Sequence, residues 1–181
     1  MSKILVDTID TRSGTTNLTI GSTNSSTVTF ENGAVTGHMY PAFTAQLTNN
    51  ATVSIPNATM TKVSFGTEIF DAGSVYDTSN SRFTPGIAGH YYVFSRLSFN
   101  TDADFDDIRL QIHKNGTRNN SMLSRNEYYN QIYIFDVLTL NTTDYLEIHA
   151  YQDSGSSRNI LTNEDGRRGC FGAFRIGSWA H

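Results

Sequence analysis

The segment GHYYVFSRLSF, from Gly89 to Phe99, has the composition of a β-strand and carries apolar side chains at both odd and even positions. Successive side chains on a strand point to opposite faces, so both faces of this one need cover. One cover is the other sheet of its own domain. The second must come from elsewhere, and a neighbouring copy of the chain is the simplest source. YYNQIYIFDVLTLN repeats the pattern, with Tyr129, Tyr133, Phe135 and Val137 on one side and Ile132, Ile134, Leu138 and Leu140 on the other. In a chain with 11 Phe and 9 Tyr, two such strands ask for more buried surface than one sandwich supplies. Left bare, they would form an aggregation-prone patch. The expectation is an assembling β-domain.

The remaining strand signals from Pro41 onward arrive at short intervals, as in a sandwich or jelly roll. AFTAQLT alternates Phe43, Ala45 and Leu47, and TVSIP, MTKVSFG and EIFD follow. In DDIRLQIHKNG, Ile108, Leu110 and Ile112 face one way and Arg109, Gln111 and His113 the other, with Asn115-Gly116 as a hairpin signal. DYLEIHAYQD turns Leu146, Ile148 and Ala150 inward, and CFGAFRIG closes the domain. Residues 1–40 read differently. Leu18, Ile20, Val28 and Phe30 form sparse alternations between Thr, Asn, Ser and Gly turns, too few to close a core. In an isolated monomer such a segment reads equally as disordered; the sharper reading is an extended β-arm or stalk that pairs with its own copies or adds to a sheet edge of another protein. The domain reading is an arm over 1–40 and an all-β knob over 41–181.

Charge excludes several functions. Lys+Arg 13 against Asp+Glu 17 gives a net charge of -4, with no basic patch for nucleic acid and no polybasic membrane anchor. The single Cys170 leaves no intrachain disulfide and no paired zinc motif. MSKILVDTIDTRSG has one lysine and a short apolar run broken by Asp7. It lacks the apolar core of about 7–15 residues that a signal peptide needs, and the roughly 20 needed to span a membrane. The expected site of synthesis is therefore a cytoplasm, without secretion.

Phe65, Asp71, Tyr76, Phe83, Gly89 and Tyr91 stand at the spacing F-x(5)-D-x(4)-Y-x(6)-F-x(5)-G-x-Y. With GHYYVF and the closing CFGAFRI, this spacing resembles the globular-head family of complement C1q and the tumour necrosis factor-like jelly rolls, over about Phe43 to Gly177. One position departs: where that family has an aromatic two residues after the tyrosine, this chain has Val93, with Phe94 beside it. The resemblance implies a ten-stranded jelly roll assembling as a homotrimer, with a binding or scaffolding role and no catalysis. Tyr91, Val93, Phe94, Tyr133 and Phe135 are the candidate trimer-contact residues. The collagen-like stem of the animal proteins is missing. In its place the leader SKILVDTIDTRSG, with LTIGSTNSSTVTF, resembles virion structural proteins of marine tailed bacteriophages, cyanophages above all. That resemblance implies attachment to a phage capsid or tail protein through residues 1–40. The knob would then be a capsid decoration, head fibre or tail-fibre adhesin that stabilises the particle or meets a host glycan or receptor. The alternative is a soluble glycan-binding or signalling module outside any virion.

Other chemistry reads as weaker. Asp102, Asp104, Asp106 and Asp107 cluster as calcium ligands do, but an EF-type loop fails because Asp107 stands where Gly is required and His113 where Glu should be. A solvated acidic loop is the better reading, and no cofactor is expected. Cys170 has no catalytic context among His38, His90, His113, His149 and His181; beside Phe171 and Phe174 it reads as a small buried residue. His90 and His149 read as strand-surface or contact residues whose protonation would weaken assembly. Asn17, Asn57 and Asn141 begin glycan-acceptor triplets that chance explains in an Asn/Thr-rich chain, and Arg167-Arg168 reads as a turn before the last strand.

Overall fold

A computed structural model describes residues 40–99, 107–124, 131–163 and 168–177, all within the unit Gly37–His181. The arm residues Leu18, Ile20, Val28 and Phe30, the acidic Asp102, Asp104 and Asp106, and Tyr129 and Arg167 lie outside the described residues. The described residues contain strands and no helix, hence no helix long and apolar enough to cross a membrane.

The strands are β1 (Ala42–Gln46), β2 (Ser54–Ile55), β3 (Thr61–Lys62), β4 (Thr67–Ala72), β5 (Tyr76–Asp77), β6 (Arg82–Phe83), β7 (Gly89–Ser98), β8 (Ile108–Lys114), β9 (Thr117–Ser124), β10 (Gln131–Leu140), β11 (Leu146–Gln152), β12 (Arg158–Asn159) and β13 (Cys170–Gly177). Among the described residues this is a set of long strands interspersed with two-residue ladders, instead of ten even strands. TVSIP and MTKVSFG contribute only two paired residues each because their chain is largely loop. The first sheet runs β10-β7-β13-β1-β4; the second runs β5-β6-β11-β8-β9, with β3 also on β11. β12 and β2 make a small third ladder. The β8–β9 hairpin turns at Asn115 and Gly116, with φ of 53° and 77°, as the Asn-Gly signal requires.

Alternation decides which side chains enter the core. Tyr91, Val93 and Leu97 of β7, Ile132, Ile134, Leu138 and Leu140 of β10, and Ile108, Leu110 and Ile112 of β8 are buried between the sheets. Leu146, Ile148 and Ala150 of β11 meet them. Phe43 sits at the centre, stacked on Tyr76 at 4.6 Å and Phe83 at 4.8 Å and edge-on to Phe171 at 4.9 Å. Each such pair contributes about 0.5–1.5 kcal/mol beyond the area it buries.

The six spaced residues now have physical roles. Phe65 and Phe83 are wholly buried. Tyr76 donates its hydroxyl to the Phe65 carbonyl at 2.9 Å, and Tyr91 donates to the Ile87 carbonyl at 2.6 Å. Burial pushes both phenols up to about 12. Asp71 accepts from the Val75 and Tyr76 amides, each at 3.0 Å, closing the turn between β4 and β5. Gly89 has no room for a side chain: a Cβ would lie 2.5 Å from the Gly177 carbonyl oxygen. The signature is thus a packing and turn code, and it carries no exposed chemistry.

Candidate functional site

The outer face of the first sheet can be read off its register, since directly paired residues project to the same side. One row across the strands is Val137, Tyr92, Phe174, Ala42 and Ala72. The next is Phe135, Phe94, Gly172, Thr44 and Phe70, and the third is Tyr133, Arg96, Cys170, Gln46 and Thr67. Tyr92 joins the rows, its ring centroid 5.3 Å from Phe174, 6.1 Å from Phe94 and 6.3 Å from Phe135. Phe135 is 63 % exposed, Val137 54 % and Tyr133 53 %. A lone exposed apolar residue means little; a contiguous aromatic patch marks an interaction surface.

Gly172 keeps this surface level. A Cβ there would stand 2.4 Å from the Phe94 ring and 3.0 Å from the Phe43 carbonyl oxygen, so the missing side chain lets the ring of Phe94 lie across β13. Beside it, a groove of about 220 Å³ is lined by Tyr92, Phe94, Arg96, Tyr133, Phe135 and Cys170, among others. Arg96 is the charged residue of the three rows, and its Nε is buried with no hydrogen-bond partner among the described residues. Burial pushes the Cys170 thiol up, against the pull of the nearby Arg96.

This geometry corrects part of the sequence reading. Tyr91 and Val93 cannot be trimer contacts, because they point between the sheets and are wholly buried within one protomer. Phe94, Tyr133 and Phe135 do lie together on the outer face. Tyr92, Phe174 and Phe70 belong with them and were missed. The available signal was Arg96, which shares the parity of Tyr92 and Phe94 and marks that parity as the outward one. Cys170 is not a core residue either: Phe171 takes the inner position and Cys170 turns outward, half-buried. The Val93 departure falls on the inner face opposite Ala173.

The outer face of the second sheet is built differently. Glu147 pairs across the strands with His113, His149 with Gln111, and Tyr151 with Arg109. Glu147 Oε1 accepts from Lys62 Nζ at 2.7 Å and from Arg82 Nη2 at 2.8 Å. Burial alone would raise this carboxyl, but the hydrogen bonds and charges of Lys62 and Arg82 outweigh it and bring it to about 2. Arg82 also lies over the Tyr145 ring at 3.8 Å. Arg109 pairs with Asp107 at 2.6 Å, so the one acidic-loop residue described is held by an arginine. Among the described residues no cluster of metal-ligating side chains has the geometry to hold an ion. His149 therefore belongs to the charged face, while His90, bonded to Thr139 at 3.0 Å, belongs to the aromatic one.

No family model matches the chain, and no curated protein matches it in sequence. Solved structures do match. The globular domain of zebrafish complement 1qA is 20 % identical, with a TM-score of 0.56 over 76 % of this chain and 98 % of that one. The vertex protein P5 of PRD1 is 13 % identical, with a TM-score of 0.59 over 77 % and 99 %. Murine APRIL is 11 % identical, with a TM-score of 0.55 over 75 % and 99 %. At these identities the likeness shows the fold, a C1q/TNF-like jelly roll.

Proposed function

We propose that this chain is a trimeric structural knob of a phage virion, held to the particle by its N-terminal arm and presenting the jelly roll outward. The observation that carries self-association is the aromatic face of Tyr92, Phe94, Phe135, Phe174 and Phe70. Burying a side chain of this size contributes about 1.5–3 kcal/mol, and among the described residues no further layer lies over these half-buried and exposed rings. A closed ring of three copies removes the faces from water without leaving a free one. The virion reading draws support from the SKILVDTIDTRSG leader and from a fold shared with a phage vertex protein. In this reading the knob works by binding and shielding, without catalysis. Copies displayed together convert weak contacts with a host glycan or receptor into avidity.

Two measurements test it. Sedimentation of the purified full-length chain is expected to give three times the protomer mass; a stable single-copy species at high concentration overturns self-association. Antibody labelling of particles by electron microscopy is expected to place the protein on the capsid or tail, and removal of residues 1–38 to abolish incorporation while leaving a soluble trimer. Full incorporation of the truncated chain, or glycan binding with no particle association, favours the soluble module instead.

A further inference from the structure

His113 of β8 and His149 of β11 lie on the outer face of the second sheet with their rings stacked, 3.8 Å between centroids and 11° between planes. His113 Nε2 is 2.9 Å from Gln111 Oε1, and Gln111 Nε2 donates to Ser121 Oγ of β9 at 3.2 Å. The Gln111 amide oxygen is thus placed to accept from the His113 ring N–H, a contact open to the neutral and the protonated ring alike, and it fixes where the ring lies. His149 Nε2 is buried and has no hydrogen-bond partner among the described residues; it lies 3.6 Å from Glu147 Oε2.

The charges that face the pair come from four strands. β3 contributes Lys62, β6 Arg82 and β11 Glu147; β9 contributes Arg118, opposite His113. With both rings neutral, Lys62 and Arg82 share one carboxylate. With both protonated, four cations crowd that same carboxylate, and Arg118 adds to the repulsion. β3 is two residues long, its register on β11 being His149–Lys62 and Ala150–Thr61 with the Val63 amide bonded just beyond it, while the register of β6 on β11 is the single pair Leu146–Phe83. Beside the buried Val63 and Phe83, the ion pairs to Glu147 are the charged part of what holds them.

We propose that the His113–His149 stack is an acid-sensitive latch within each protomer, holding β3 and β6 against β11 while both rings are neutral and loosening them when the rings take up protons. Burial lowers the pKa of both rings; the charges of His113 and Lys62 lower His149 further and that of Arg118 lowers His113, and together these outweigh the opposing pull of Glu147 and, at His113, of a backbone hydrogen bond to Gly116. In the unfolded chain they titrate near their ordinary value of about 6.5. Falling pH therefore protonates the unfolded chain first. The stability held by the neutral stack is complete above about 6.5 and is lost as pH falls toward the depressed folded values. Glu147 stays ionised through this window, so its own titration does not confuse the reading.

The test uses the full chain. The Val63 amide, which donates to the Ile148 carbonyl at 2.9 Å, reports whether β3 is attached. Its hydrogen-exchange protection, corrected for intrinsic rate, is expected to fall about tenfold between pH 7.5 and pH 5.0. Carbon-labelled histidine titrations are expected to place both rings below 6.5. In His149→Gln the pH response of Val63 should shrink to less than about twofold, and His113 should titrate closer to its ordinary value. His113→Gln serves where His149→Gln does not fold. Equal Val63 protection at both pH values, rings that titrate at or above 6.5, or a variant that keeps the whole pH response would each overturn the latch.

Discussion

The two outward faces of this sandwich share one core and one alternation rule, yet their chemistry is opposite. On the six-stranded sheet, Glu147 is met by Lys62 and Arg82 and Arg109 by Asp107. On the five-stranded sheet, Tyr92, Phe94, Phe135 and Phe174 stand beside a single guanidinium, Arg96. Charge can be neutralised within a face, by neighbours on adjacent strands. Apolar surface cannot; only another surface laid over it takes it out of water. Among the described residues the charged face is neutralised by its own neighbours, and the aromatic face is left without cover.

The largest effect expected from this difference follows Phe135→Asp. Placing a carboxylate in the aromatic rows should weaken self-association at least about a hundredfold, as loss of an interface anchor does. The melting temperature of the dilute chain should stay within about 2 °C, because the site is exposed in the protomer. Tyr151→Asp on the other sheet is the control; an equal loss of mass in sedimentation would erase the distinction between the faces. Next comes Glu147→Gln, which leaves Lys62 and Arg82 without their shared acceptor. It should cost about 1–3 kcal/mol in denaturant unfolding and leave the assembled mass unchanged. The wild-type carboxyl, depressed to about 2, gives stability that is present above its unfolded value of 4.5 and lost as pH falls toward 2. The variant should lack that acid decline.

Smaller still is Asp71→Ala. It removes the acceptor of two turn amides at roughly 1–2 kcal/mol, and it should favour neither face over the other. A change in assembled mass would mean that the turn itself sits in the contact. The smallest signal is alkaline. Tyr76 and Tyr91 are raised to about 12, so their contribution is intact below 10 and disappears as pH rises from 10 through 12. Ultraviolet titration should show these two phenols ionising late, together with unfolding.

Much of the fold was legible because the strands of its core alternate cleanly: Ile108, Leu110 and Ile112 against Arg109, Gln111 and His113 left one choice of face. The spaced residues from Phe65 to Tyr91 were legible as a family pattern, though only the structure shows Asp71 as a turn acceptor and Gly89 as a close approach. β9 was not anticipated. TRNNSMLS has no apolar alternation because the strand is an exposed edge, and its pairing comes from the Asn115-Gly116 hairpin. The aromatic face was legible only in part. Both parities of β7 are apolar, so composition alone could not say that Tyr91 and Val93 go in while Tyr92 and Phe94 go out. The His113–His149 stack was hidden because it joins residues 36 positions apart across a diagonal between β8 and β11.

The double phase of β7 and β10 has a cost during folding. A slip of one residue exchanges inner and outer sets, and in most sheets that error buries charge and corrects itself. Here it would trade Tyr91 and Val93 for Tyr92 and Phe94, one greasy set for another. Arg96 sets the two frames apart: a slip would turn its guanidinium toward the interior and bury a charge there, so the cation beside the rings weighs against the wrong frame.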